Sequence, residues 1–366
     1  MIDRRRFSLG LGSCLWATTA TAEVRINGTV MPEPSRIPKK DVPFTPVDLI
    51  PNYRQMMREI VIELANYGHQ RKNNFIVLLR NAPELLIKER RENEWELARD
   101  PDGVSAGKYK PEGAMFRPSV DAVDGILLDG LFVGREKANA PTLPAMTDYL
   151  LAAARRLAGE GRRPLSIEYC ADAKGKAEAL ARAAKNGILS VVAPDPQLLA
   201  IPSGRPAQEN PGHVSGLKQA QNFLPILTPG PFKDPAAWLA ALADTNYDLL
   251  ILDPFWPGRG SLTVAEAKQL TYKQLGTRRL VIALLPVGRA ASDRFYWQDG
   301  WHPGAPPWLA AKDDDHPGQY HVKYWLPEWK AILSRYIQGL MDLGVDGVLL
   351  DAADEYLYFE DLTPLE

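Results

Sequence analysis

Apolar residues fall along this chain in two rhythms. Met56, Ile60, Val61, Leu64 and Tyr67 recur at three- and four-residue steps, the period of an amphipathic helix. Eight short continuous apolar runs follow, at residues 75–79, 125–128, 165–167, 188–192, 223–227, 249–252, 280–285 and 347–350. Runs of this length suit strands buried on both faces of a parallel sheet. Pro225 counts against the fifth, because proline has no N–H to give a ladder. Helical stretches lie between the runs, at 149–157, 174–184, 236–243, 264–275 and 329–343. Strand–helix alternation predicts the α/β class, and eight strands predict a single (β/α)8 TIM barrel. The sequence stops soon after the eighth run. The helix ahead of the first strand can take the place of a closing helix, as in a circularly permuted barrel.

The N-terminus reads differently. Arg4, Arg5 and Arg6 precede a short apolar stretch, and Ala20-Thr21-Ala22 has the form of a signal-peptidase site. Arg4-Arg5-Arg6-Phe7 also resembles a twin-arginine signal. Leu11-Gly12-Ser13-Cys14 offers a second reading, lipoprotein cleavage with anchoring through Cys14. The expected organisation is an export signal over 1–22, a proline-rich extended arm over 23–50 and one barrel over 51–366, in a protein exported to the periplasm or outside the cell. No stretch of the mature chain reaches the ~18 apolar residues of a membrane span.

Composition narrows the partners. The net charge is -2, with no basic footprint for nucleic acid. Cys170 is the lone cysteine after cleavage and ends an apolar run, so a core thiol is expected. Zinc, phosphate-loop, dinucleotide and serine-hydrolase motifs are missing, so no cofactor and no metal are expected. Asp313-Asp314-Asp315 reads as a solvated acidic loop. Oligomeric state is not legible.

Barrel chemistry sits where strands end at their C-termini. Asp129, Glu168, Asp253 and Asp351 with Asp354 stand at or just past four of the runs. Paired carboxylates are what glycoside hydrolysis requires, one as acid and one as nucleophile or base. The plainer reading makes them turn or cap residues. Six of the nine tryptophans lie between Trp256 and Trp329, most in the connection between the seventh and eighth runs. They are either platforms for sugar rings or the small core of a long loop.

Segments 123–134 (VDGILLDGLFVG), 246–256 (NYDLLILDPFW), 278–297, 322–332 and 344–360 (GVDGVLLDAADEYLYFE) together resemble glycoside hydrolase family 114, extracellular TIM-barrel proteins once labelled cysteinyl-tRNA synthetase-related. That family includes endo-α-1,4-polygalactosaminidases. The resemblance implies Asp351 as a catalytic carboxylate, with Asp129 in the place of a family glutamate. It matches Asp354 and Tyr356 to neighbours of that aspartate, Glu168 to a family aspartate, and Arg294, Tyr296 and Trp297 to an Arg-x-Tyr-Trp segment. Gly288 is followed by Arg289-Ala290-Ala291 where the family usually has Gly-Glu-Ala-Glu.

The expectation is an exported glycoside hydrolase that cleaves an exopolysaccharide, with galactosamine in α-1,4 linkage as the implied substrate. Asp351 and Asp129 are the expected catalytic pair. Glu168, Asp253, Asp354, Tyr356, Arg294 and Tyr296 are the expected substrate contacts, with Trp256, Trp297, Tyr324 and Trp325 as aromatic ones. The alternative is a catalytically inactive polysaccharide-binding barrel serving polymer export or assembly.

Overall fold

The computed structural model describes residues 24–26, 29–31 and 42–365, apart from Asp195 and Thr228. The expected signal over 1–22, including Cys14, and residues 23, 27–28 and 32–41 of the arm expected over 23–50 lie outside these residues. Within the arm, Val24–Ile26 pairs antiparallel with Thr29–Met31.

All eight apolar runs are strands: β1 Ile76–Arg80, β2 Gly125–Asp129, β3 Arg163–Tyr169, β4 Leu189–Ala193, β5 Phe223–Ile226, β6 Leu249–Leu252, β7 Leu280–Pro286 and β8 Gly347–Asp351. They form one parallel sheet in the order β4-β3-β2-β1-β8-β7-β6-β5. This is a nearly closed barrel, with β4 and β5 as the unbonded ends of the sheet. That seam explains Pro225. It lies within β5, which pairs only with β6, so one edge of the strand has no ladder to supply.

Side chains alternate between two cores. Ile76, Leu78, Leu127, Leu165, Ile167, Leu249, Ile251, Ile282 and Leu349 fill the barrel interior. Val77, Leu79, Ile126, Leu128, Leu250, Leu252, Val281 and Leu350 face the helices. Gly347 starts β8 where two strands nearly touch. A Cβ there would lie 2.1 Å from the Ile76 carbonyl oxygen.

The helices are α1 Tyr53–Arg71, α2 Arg90–Arg99, α3 Pro101–Ser105, α4 Arg117–Ala122, α5 Pro144–Gly159, α6 Ala173–Lys185, α7 Pro235–Ala243, α8 Val264–Gln269, α9 Pro327–Asp342 and α10 Tyr356–Asp361. Asn52 caps α1 by accepting the Gln55 N–H at 2.9 Å. Met57, Ile60, Val61 and Leu64 are the buried face of α1. This helix packs against both α4 and α9, which lead into β2 and β8. It therefore covers the β8–β1 join, the slot of a closing helix. The helix expected over 264–275 ends at Gln269, after which Tyr272 and Arg278 bridge instead.

Two connections depart from a plain barrel. The later part of the connection from β4 to β5, over 212–222, crosses its N-terminal end, where Val214, Leu217 and Ala220 cork the interior. Between β7 and β8, Arg289–Ala291 pairs with Gln319–Val322, which pairs with Leu309–Lys312. This small antiparallel sheet roofs the other end.

Candidate active site

An open cavity of about 720 Å³ lies at the C-terminal mouth, within the usual range for small-ligand sites. Strand period two decides which residues reach it. Arg80, Asp129 and Asp351 follow Leu78, Leu127 and Leu349 by two positions, so they continue the inward face into the mouth.

Arg80 organises two of them. Its Nε donates to Asp129 Oδ2 at 2.7 Å, and its Nη1 donates to Asp351 Oδ1 at 3.1 Å. Sharing one guanidinium keeps those two oxygens within about 8 Å, a separation glycosidase carboxylates use. Asp129 also accepts from Asn81 Nδ2 at 3.0 Å and from the Tyr169 hydroxyl at 2.7 Å. Burial alone would raise its pKa. The Arg80 charge and these hydrogen bonds outweigh burial and hold Asp129 below the usual carboxylate range. Burial, followed by the Asp129 charge, pushes the Tyr169 phenol up, so it stays a donor.

The opposite wall behaves differently. Asp253 pairs with Arg294 and accepts the Phe255 N–H at 3.0 Å. Burial nevertheless pushes its carboxyl up to about 6. In sheet order β2 and β6 are four strands apart, on opposite sides of an eight-stranded ring. The mouth thus sets the ionised Asp129 against a protonatable Asp253. Asp354, just past β8, is also raised, by burial first, with Arg289 opposing and the Asp351 charge adding to it.

The backbone at this mouth is strained. Asn81 and Ala82, just past Arg80, have φ of 53° and 54°, and Ala352, just past Asp351, has φ of 52°. Left-handed alanine costs on the order of 1 kcal/mol and clusters at functional sites.

Several expected contacts lie elsewhere. Glu168 points away from the cavity, because it sits between the inward Ile167 and Tyr169. It is fully buried, accepting the Phe132 and Val133 N–H groups on Oε2 at 2.8 and 3.0 Å, with Oε1 unpartnered. Burial raises its pKa. Tyr169, one residue on, faces inward and donates to Asp129. Tyr356 is buried and donates to Glu84 Oε2 at 2.7 Å. Tyr296 accepts the Ala291 N–H at 3.0 Å under the roof. Arg294 does line the cavity, as do Asp253 and Asp354.

The aromatics form a core rather than platforms. Tyr324 is fully buried and donates to the Tyr53 carbonyl oxygen at 2.9 Å. Trp325 packs on Tyr53 and Phe359, Trp297 on Trp301 and Tyr320, and Trp256 on Trp238. None of the four lines the cavity. Trp297 packs with Tyr320 within the roof, and Tyr324 and Trp325 anchor the same connection on α1 and α10.

Four functional candidates escaped the sequence reading. Arg80 and Tyr169 end inward-facing strand registers, and extending the search past acids would have found both. His316 and Asp313 had no local signal. Asp313, expected to be solvated, is buried; it pairs with Arg289 at 2.9 Å and with His316 Nδ1 at 2.9 Å. His316 lines the cavity. Arg289 also pairs with Glu355 at 3.3 Å, so both of its acidic partners come from other segments. Among the described residues no group of three or more metal-ligating side chains gathers, and no helix is long and apolar enough to cross a membrane.

No protein-family model matches the chain. An uncharacterized protein of Deinococcus radiodurans is 34% identical over 167 residues, 39% of this chain and 51% of that protein. One of Methanocaldococcus jannaschii is 33% identical over 120 residues, covering 33% of this chain and 34% of its own length. One of Thermotoga maritima is 40% identical over 78 residues, covering 21% and 24%. The chain spans about half the length or less of the curated relatives it matches. Among solved structures, a conserved putative LOR/SDH protein of Methanococcus maripaludis aligns over 92% of this chain and 77% of its own at 12% identity, with a TM-score of 0.15. A score that low transfers nothing.

Proposed function

We propose that the chain is an exported glycoside hydrolase acting on an exopolysaccharide by paired-carboxylate chemistry. The observation that carries this reading is the polarised mouth: Asp129 is held ionised while Asp253 keeps a proton up to about 6. Environments that push two carboxyls apart in one site assign one to be the acid and the other to be the nucleophile or base. In this reading Asp253 protonates the leaving glycosidic oxygen. Asp129, oriented by Arg80, Asn81 and Tyr169, supports the developing positive charge at the anomeric carbon from the other side. Asp351 shares Arg80 and lends the same wall negative charge.

The family resemblance suggests an α-1,4-linked galactosamine polymer as substrate. Export rests on the sequence of residues 1–22. The test is reducing-end release from that polymer by wild type, Asp129→Asn and Asp253→Asn. Release that disappears in both variants supports the reading. Release that survives in both removes these residues from the chemistry. A second reading is a polysaccharide-binding barrel, favoured by the saturation of Asp129 with three donors. It predicts retention of the polymer on immobilised protein with no release.

A further inference from the structure

A second cavity, of about 500 Å³, opens at the other end of the barrel. It lies between the starts of β1, β2 and β3 and the cork at 214–220. Its charged residues are Asp124, Glu160, Arg162, Arg163 and Lys218. Three of these are already engaged. Asp124 Oδ2 accepts the Val77 N–H at 2.8 Å. Glu160 is bound by Arg117. Arg162 donates to the Val123 carbonyl oxygen at 2.9 Å and lies 3.5 Å from Asp121.

Arg163 and Lys218 are different. Among the described residues, neither side chain has a hydrogen-bonding or ion-pair partner. The Nε atom of Arg163 is buried as well as unpartnered. Lys218 Nζ lies 3.9 Å from where a Cβ on Gly161 would be, so it leans over the cavity lip. A buried donor on a cation without an acceptor is costly and rare in native proteins. Here the acids that could neutralise it are bound elsewhere, which leaves two cations facing the cavity.

We infer that this N-terminal cavity is a binding site for a compact oxyanion, a phosphate, sulfate or carboxylate group, held by Arg163 and Lys218. Arginine's planar fork suits such groups, which accept two N–H bonds side by side. The site lies at the opposite end of the barrel from Asp129 and shares no residue with the mouth. It therefore stands or falls independently of the hydrolase reading.

The test uses the full chain and follows the Arg163 side-chain Nε–H resonance by NMR, assigned through Arg163→Lys. Sodium phosphate, sodium sulfate and sodium acetate are titrated at constant ionic strength against chloride. The expected result is a saturable shift with at least one oxyanion and none with chloride. Arg163→Ala and Lys218→Ala, followed by calorimetry, should each weaken that anion about tenfold, the loss of one charge-assisted contact. The order of the three anions then identifies the chemistry. Equal response to chloride, or affinity unchanged in both variants, overturns the site. Both variants alter side chains at the cavity rim, and a circular dichroism melt confirms that they fold.

Discussion

Asp129 and Asp351 are held by one side chain, the Arg80 guanidinium, at 2.7 and 3.1 Å. They come from β2 and β8, the two neighbours of the strand that carries Arg80. The arrangement follows from sheet order: a cation on the middle strand meets an anion on each side when all three side chains share the inward phase.

Arg80→Ala should therefore leave two partly buried carboxylates uncompensated. The expected cost is about 3 kcal/mol at pH 7, as for breaking a buried ion pair. The pH dependence has a definite sign. Asp129 has a depressed folded pKa, so its contribution is present above the unfolded value and lost as pH falls through the folded one. Denaturant unfolding of wild type and variant at pH 7 and pH 3 should show the gap narrowing in acid. A gap that stays constant would mean the Arg80–Asp129 charge interaction is not what Arg80 contributes.

The hydrolase reading predicts a descending limb. A general acid works only while protonated, and Asp253 releases its proton near about 6. The kcat/KM profile should fall as pH rises through that value. Asp253→Asn should flatten the limb and lower the maximum by at least about 100-fold. A profile still rising past pH 8 would exclude Asp253 as the acid.

Glu168 gives an opposite stability signature. Its folded pKa is raised by burial, so the folded state binds the proton more tightly, and stability is lost as pH rises through the folded value. Glu168→Gln keeps an oxygen for the Phe132 and Val133 N–H groups and removes the buried charge. Its stability relative to wild type should rise with pH, whereas Glu168→Ala should cost about 2 kcal/mol for the two abandoned donors. Thermal melts from pH 4 to 8 would measure both.

Trp325→Ala tests the role of the aromatics. Trp325 packs on Tyr53 and Phe359 at ring distances of 5.4 and 4.8 Å, away from the cavity. The variant should lose about 3 kcal/mol of stability. Polymer retention per folded molecule should not change; a selective loss of retention would restore the platform reading.

Gly347→Ala would set a methyl 2.1 Å from the Ile76 carbonyl oxygen, between two hydrogen-bonded strands. Rigid backbone cannot yield as a side chain can, so a loss of about 3 kcal/mol or more is expected, read as a lowered melting temperature.

Much of the fold was legible because burial on both faces leaves a signature of its own: uninterrupted apolar runs. The leading helix was equally plain, since α1 shows a clean 3.6-residue stripe. Legibility failed where a residue's role depends on partners distant in sequence. Glu168 and Tyr169 are adjacent, and only the inward phase of β3 decides which meets Asp129. The tryptophans between β7 and β8 suited both a platform and a small core, and packing against α9 and α10 decided for the core. Asp313 looked solvated because its partners, Arg289 and His316, meet it only once the small sheet has paired.

By itself, then, the sequence determined the local matters: eight strands, their parallel class, the helix ahead of the first strand, and the acids at strand ends. These follow from periodicity and chain order, which short-range sterics and burial impose directly. The tertiary structure alone decided which carboxylates share an arginine, which are forced to keep a proton, and which cations are left without a partner. Those properties depend on distance and desolvation between segments hundreds of residues apart, and no local pattern encodes them.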